Sequence, residues 1–126
     1  MPNRIFKILI LGVFFLLTSI MFISCQEAKD TIGVIIVKDF NGNTVSGATV
    51  VLHQDNAISE QTANSTNPEL RKTNITDENG RAEFTYELEA IFQVDVEKTD
   101  GNNIYNGSNM IRLLREKTVT QVVEIN

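Results

Sequence analysis

The chain has 126 residues, with 11 basic and 16 acidic side chains and a formal net charge of −5. That balance is unsuited to phosphate backbones or anionic headgroups, because association would begin with repulsion. A single cysteine excludes any disulfide framework within the chain.

The chain opens MPNRIFK, with Arg4 and Lys7 its only early charges, and runs from Ile8 to Ile23 without an ionisable side chain. A basic start, an apolar stretch and small residues at its end form the layout of a secretory signal. Sixteen uncharged residues fall short of the roughly 17 to 25 of a spanning helix. Residues 1–24 are therefore expected to form an apolar signal helix outside the packed domain. The remaining hundred or so residues suit one domain with one core.

After Cys25 the pattern is period two, the signature of half-buried strands. In TIGVIIVKD, Ile32, Val34 and Ile36 are predicted to face inward, and in ATVVLHQ so are Ala48, Val50 and Leu52, with His53 outside. RAEFTYEL places Ala82, Phe84, Tyr86 and Leu88 on one face; FQVDVE does the same with Phe92, Val94 and Val96, and KTVTQVVEIN with Val119, Val123 and Ile125. Asn, Asp and Gly clusters at 41–43, 77–80, 99–103 and 105–109 read as turns. Seven strands are predicted, at 31–38, 46–54, 71–76, 81–88, 91–98, 104–114 and 117–125, and no segment after Cys25 has helical periodicity. The expected fold is all-β, a seven-stranded antiparallel sandwich.

Two resemblances add to this reading. Phe22, Ile23, Ser24 and Cys25 resemble the lipobox of bacterial lipoproteins, with Phe22 where that family usually has Leu. The resemblance implies cleavage before Cys25 and a diacylglyceryl thioether on it, with residues 25–30 as a lipidated tether and 31–126 as the folded domain. Several acyl chains at about 0.8 kcal/mol per buried methylene make membrane residence stable. The mature chain keeps nine basic residues against sixteen acidic ones, a net charge of −7. Gln26, where an inner-membrane retention signal would have Asp, implies the outer membrane. Asp30-Thr31-Ile32 resembles the short O-glycosylation signal of Bacteroidetes, which makes Thr31 a candidate for modification.

The second resemblance covers about residues 32–98. Asp39, Gly42, Val45, Gly47, Ala48 and Val50, then Thr76, Asp77, Gly80 and Phe84, follow the line of the carboxypeptidase regulatory-like domains. These are prealbumin-like sandwiches related in shape to transthyretin, and bacterial Ig-like domains share part of the line. Such motifs specify turns and core positions, so they imply fold rather than activity.

No catalytic constellation is legible. Transthyretin-like hydrolases use several histidines and a Tyr-Arg-Gly-Ser ending; this chain has one histidine, His53, and ends VVEIN. Asp39, Asn41 and Asn43 alternate like calcium ligands, but Thr44 and Val50 stand where the loop needs Gly and Glu, so hairpin turns explain them better. A non-enzymatic protein without metal or cofactor is expected.

Two stretches are candidate working surfaces. Residues 55–72, including Asn64 and Glu69, form a polar connection longer than the roughly 12 to 15 residues compact domains usually tolerate. In GNNIYNG, Tyr105 and Asn106 offer a ring and an amide that could meet a sugar. The sequence thus reads as a lipid-anchored cell-envelope module that binds or supports an envelope protein or polysaccharide, with no role for nucleic acid. The alternative is a surface glycan-binding or adhesion module.

Overall fold

The computed structural model describes residues 3–19, 27–54 and 70–126. One helix, α1 (Asn3–Ser19), precedes seven strands: β1 (Thr31–Asp39), β2 (Thr49–His53), β3 (Lys72–Ile75), β4 (Arg81–Tyr86), β5 (Ala90–Asp100), β6 (Asn103–Leu113) and β7 (Thr118–Ile125). From residue 3 to residue 17 every side chain of α1 is exposed, apolar ones included. Among the described residues no helix is long and apolar enough to cross a membrane.

The strands form two facing sheets, β4-β1-β7 and β3-β2-β5-β6. Their arrangement is not purely antiparallel, as the sequence had suggested: β1 pairs antiparallel with β4 but parallel with β7. The turn after β6 delivers the chain beside the start of β1, where Ile32 N donates to Lys117 O (2.9 Å), so β7 must run in the direction of β1.

The core between the sheets contains Ala48, Val50 and Leu52 from β2 and its approach, Ala82, Phe84 and Tyr86 from β4, and Phe92, Val94 and Val96 from β5. These sets are the predicted ones. The facing of β1 is the opposite of the predicted one. Ile35 and Val37 enter the core cluster, and Thr31 and Gly33 share their face, while Ile32 and Ile36 point the other way and are half-buried. An uninterrupted apolar run gives no alternation to read, and packing decides: a Cβ on Gly33 would stand 2.8 Å from Leu113 Cδ2. Glycine lets β1 lie close beneath β6 there, and a larger residue would make the end of the Leu113 side chain shift. Val34 is also fully buried, so the central strand is covered on both faces, as strands with continuous apolar sequence commonly are.

Three other expectations change. Leu88 lies beyond the end of β4 and is 65% exposed. Residues 105–109, read as a turn, lie within β6. Thr31 is fully buried, and its Oγ1 accepts a hydrogen bond from Glu116 N (3.0 Å), so the folded domain offers no room for an O-linked sugar at that hydroxyl.

The motif residues each perform structural work. Asp39 Oδ1 accepts from Asn41 N and Asn43 N (both 2.9 Å), and Asp77 Oδ1 from Asn79 N (2.8 Å) and Arg81 N (3.0 Å), closing the two turns. Gly80 has φ 71° and sits against Thr44, a position that needs glycine twice over. Buried Thr76 donates to Val45 O (2.7 Å) and accepts from Ala48 N (2.9 Å), fastening the approach to β2.

Register fixes the two ends of the sandwich. The start of β1 lies with Tyr86, Phe92 and Leu113, since Thr31 pairs with Tyr86 and the Tyr86 and Phe92 rings are 4.6 Å apart. His53 pairs with Gln93 and Gln54 Nε2 donates to Ile91 O (2.9 Å), so residues 54 and 70, which flank the long polar stretch, are also at this end. The opposite end gathers the turns after β1, before β4 and after β5, together with the close of β7. The tether, residues 27–30, therefore enters at one end, and the 40–44 and 100–103 turns face away from it.

Candidate functional site

Two hollows are built from residues the sequence did not connect. The larger, about 720 Å³, lies on the outer face of the four-stranded sheet near the tether end, between Ile91 and Met110 on one side and His53, Gln54 and Gln93 on the other. His53 was expected to be solvated; it is instead only 6% exposed. Its Nε2 is hydrogen-bonded to Asp95 Oδ2, and Ser108 Oγ donates to Asp95 Oδ1 (2.7 Å). Burial works against the charged form of Asp95, but the hydrogen bonds from Ser108 and His53 and the charges of His53 and Arg71 outweigh it, and its pKa lies below the ordinary carboxylate value.

This trio is not a nucleophilic triad. Catalysis of that kind needs the imidazole between hydroxyl and carboxylate, so that it can take the serine proton. Here the carboxylate is in the middle, and a carboxylate of lowered pKa is a poor base for a hydroxyl. What the trio does is tie β2, β5 and β6 together across three strands. Among the described residues no three His, Cys, Asp or Glu side chains converge as metal ligands would.

The second hollow, about 250 Å³, is the mouth of the sandwich at the end away from the tether. Lys98 and Tyr105 are register partners on β5 and β6 and form one wall with Asp100. Val45 and Ile125 form the apolar floor, and the turn after β1 contributes Asp39 and Phe40 to the rim. Tyr105 is half-buried against the core, whereas Phe40 is 71% exposed. Asp39 is occupied by its own turn, and its pKa is lowered, chiefly by the Asn43 backbone N–H. Lys98 Nζ donates to Gly47 O at 3.4 Å. Among the described residues no hydrogen bond or ion pair engages the Asp100 carboxylate or the Tyr105 hydroxyl.

Of the candidates from the sequence, Tyr105 belongs to this mouth. Asn106, the next residue along β6, lies on the opposite face of the strand, and its backbone N–H and C=O pair with Asn126 (both 3.1 Å). Cys25, Asn64 and Glu69 lie outside the described residues. Phe40, Lys98 and Asp100 were not anticipated. The available signal was Phe40 itself, a bulky aromatic in an otherwise polar turn sequence, DFNGN. Nothing in the sequence joins His53, Asp95 and Ser108, which are 42 and 13 positions apart.

No family model matches the chain, and no curated protein matches it in sequence. Among solved structures it is similar to the major pilin subunit BcpA of Bacillus cereus, at 17% identity and a TM-score of 0.50, over 78% of this chain and 30% of that one. The fold is an Ig-like β-sandwich. The Ig-like chain thus spans about a third of the pilin's length, and at such identity the likeness is one of fold. It is also similar to a candidate carbohydrate-binding protein from Pseudomonas aeruginosa, at 8% identity and a TM-score of 0.48 over 80% of this chain and 92% of that one. A catechol 1,2-dioxygenase from an Acinetobacter species gives 11% identity and a TM-score of 0.48 over 82% and 54%. None of these gives a positive sign of enzymatic activity in this chain.

Proposed function

We propose that this protein is a lipid-anchored, non-enzymatic module of the bacterial cell envelope that holds or binds another envelope component at the end of its sandwich. The observation that carries the reading is the state of α1. Its apolar side chains, Phe6, Leu9, Leu11 and Phe14 among them, are exposed all around the helix, and a helix apolar on every side is stable only in lipid or within protein. The lipobox-like Phe22-Ile23-Ser24-Cys25 follows directly, and an Ig-like sandwich begins at Thr31.

From Cys25 to Ile32 the chain spans at most about 25 Å at ~3.5 Å per residue. An anchored Cys25 would hold the domain close to the bilayer with its far mouth outward. Gln26 favours the outer membrane, and the acidic mature domain suits neither nucleic acid nor an anionic lipid surface. The test is metabolic labelling with a fatty acid and membrane fractionation of the full chain beside Cys25→Ser. Loss of label, with uncleaved precursor or soluble product, is the expected result. Normal labelling and fractionation of Cys25→Ser would overturn the anchor.

A further inference from the structure

We infer that the mouth of the sandwich remote from the tether is a binding site for one neutral sugar ring of an envelope polysaccharide, with Phe40 and Tyr105 as its apolar surface and Asp100 and Lys98 as its hydrogen-bonding pair. The inference rests on the proposed function in taking the domain to be a binding module, and it names that module's ligand class.

Four observations carry it. The hollow is about 250 Å³, below the roughly 300 to 1,000 Å³ of clefts for drug-sized ligands, which limits it to one small ring. Its floor is half-buried Val45 beside the core residue Ile125, so an occupant covers apolar surface that Val45, Tyr105 and Phe40 leave open. Phe40 is exposed on a turn that Asp39, Asn41, Asn43 and Gly42 already close without it, so its ring has no part in making that turn. The Asp100 carboxylate and the Tyr105 hydroxyl are at hand for a ligand, beside a lysine with donors to spare.

The chemistry of the lining selects among occupants. An anion would meet the Asp39 and Asp100 carboxylates on a domain that is already acidic, and a cation would find Asp100 alone, because Asp39 is held by its own turn, with Lys98 beside it. A wholly apolar group would strip water from Lys98 and Asp100 and give nothing back. A neutral polyhydroxylated ring meets every requirement, because its C–H face lies on aromatic surface while each hydroxyl both donates and accepts. The position fits as well, since this end faces away from the tether and is open to polymer strands too large to enter between domain and membrane.

The experiment is affinity electrophoresis of the full chain in detergent through gels containing dextran, mannan or galactan, with an anionic polysaccharide as comparison. Phe40→Ala, Asp100→Asn and Tyr105→Phe are run alongside, each with a thermal melt. Retardation by at least one neutral polymer is expected. Phe40→Ala and Asp100→Asn should weaken it about tenfold each, the effect of losing one good contact to a charged or aromatic group, without lowering the melting temperature. No retardation by any neutral polymer, preference for the anionic one, or undiminished binding by both variants would overturn the site. Fatty-acid labelling of the same samples separates the two readings: labelled protein that ignores neutral polymers loses only the sugar site, and unlabelled protein that binds them loses only the anchor.

Discussion

Gly107 in β6 faces the backbone of Glu124 in β7 so closely that a Cβ there would fall on the Glu124 carbonyl oxygen, with the carbonyl carbon and Ile125 Cγ2 both at 3.0 Å. This approach closes one side of the sandwich, next to the paired backbones of Asn106 and Asn126 and the bond from Asn109 Nδ2 to Val122 O (2.9 Å). On the other side Lys72 Nζ donates to Thr85 O (2.6 Å) and Asn74 Nδ2 to Glu83 O (3.0 Å). Edge strands that would otherwise offer unpaired carbonyls are thereby covered by side chains of the facing sheet.

Gly107→Ala is expected to destabilise the domain by about 1–3 kcal/mol, the usual cost of forcing atoms into a packed site, because a backbone carbonyl has nowhere to go. Gly33→Ala should cost less, since the atom it meets, Leu113 Cδ2, is the end of a side chain that can turn. Urea unfolding of the two variants checks the order. Equal stability of Gly107→Ala and the parent would mean that β6 and β7 do not close as described.

The Asp95 cluster predicts a pH dependence with a definite sign. The folded-state pKa of Asp95 is depressed, so the unfolded chain binds its proton more readily than the folded one, and stability falls as protons are added. The contribution is fully present above about pH 5 and is lost as pH falls through about 4 and below. Asp39 acts in the same direction. Melting temperature followed from pH 6 to pH 2 should fall, and Asp95→Asn should fall less steeply over the acid limb. A parallel acid limb in Asp95→Asn would remove the cluster as a source of acid sensitivity.

Thr31 gives a second local test. Its buried hydroxyl accepts from the backbone N–H of Glu116, an exposed residue, and losing such a bond costs about 0.5–1.5 kcal/mol. Thr31→Val should show that loss by denaturant unfolding. Intact-mass analysis of the mature protein should find no sugar on Thr31; a hexose there would require the start of β1 to open.

Replacing residues 57–69 by a short Gly and Ser turn should leave a folded domain. Leu52 and Lys72 are register partners in an antiparallel pair, so a short connection spans the gap, and a shorter loop lowers closure entropy slightly. By contrast Phe84→Ala, in the core, should cost about 3–5 kcal/mol. Because the replaced stretch joins the sandwich at the tether end, neutral polysaccharide retention should persist in the shortened protein. Its loss would move the working surface to that stretch.

Sequence alone determined the seven strands, three of their turns and the inward sets of β2, β4, β5 and β7, because alternation and Asx-Gly chemistry are local and leave a local trace. It also held the apolar helix, which is a property of composition. Only the tertiary structure decided the facing of β1, whose run of Ile and Val carries no period and whose Gly33 packs beneath Leu113, 80 positions away. The same holds for the parallel pairing of β1 with β7 and for Gly107, which reads as a turn until the backbone of Glu124 is laid against it. The mouth with Phe40, Lys98, Asp100 and Tyr105 and the buried His53–Asp95–Ser108 link arise from residues on separate strands and turns. The mouth is set by how the two sheets stack and the link by strand register within one sheet, long-range outcomes that no window of sequence contains.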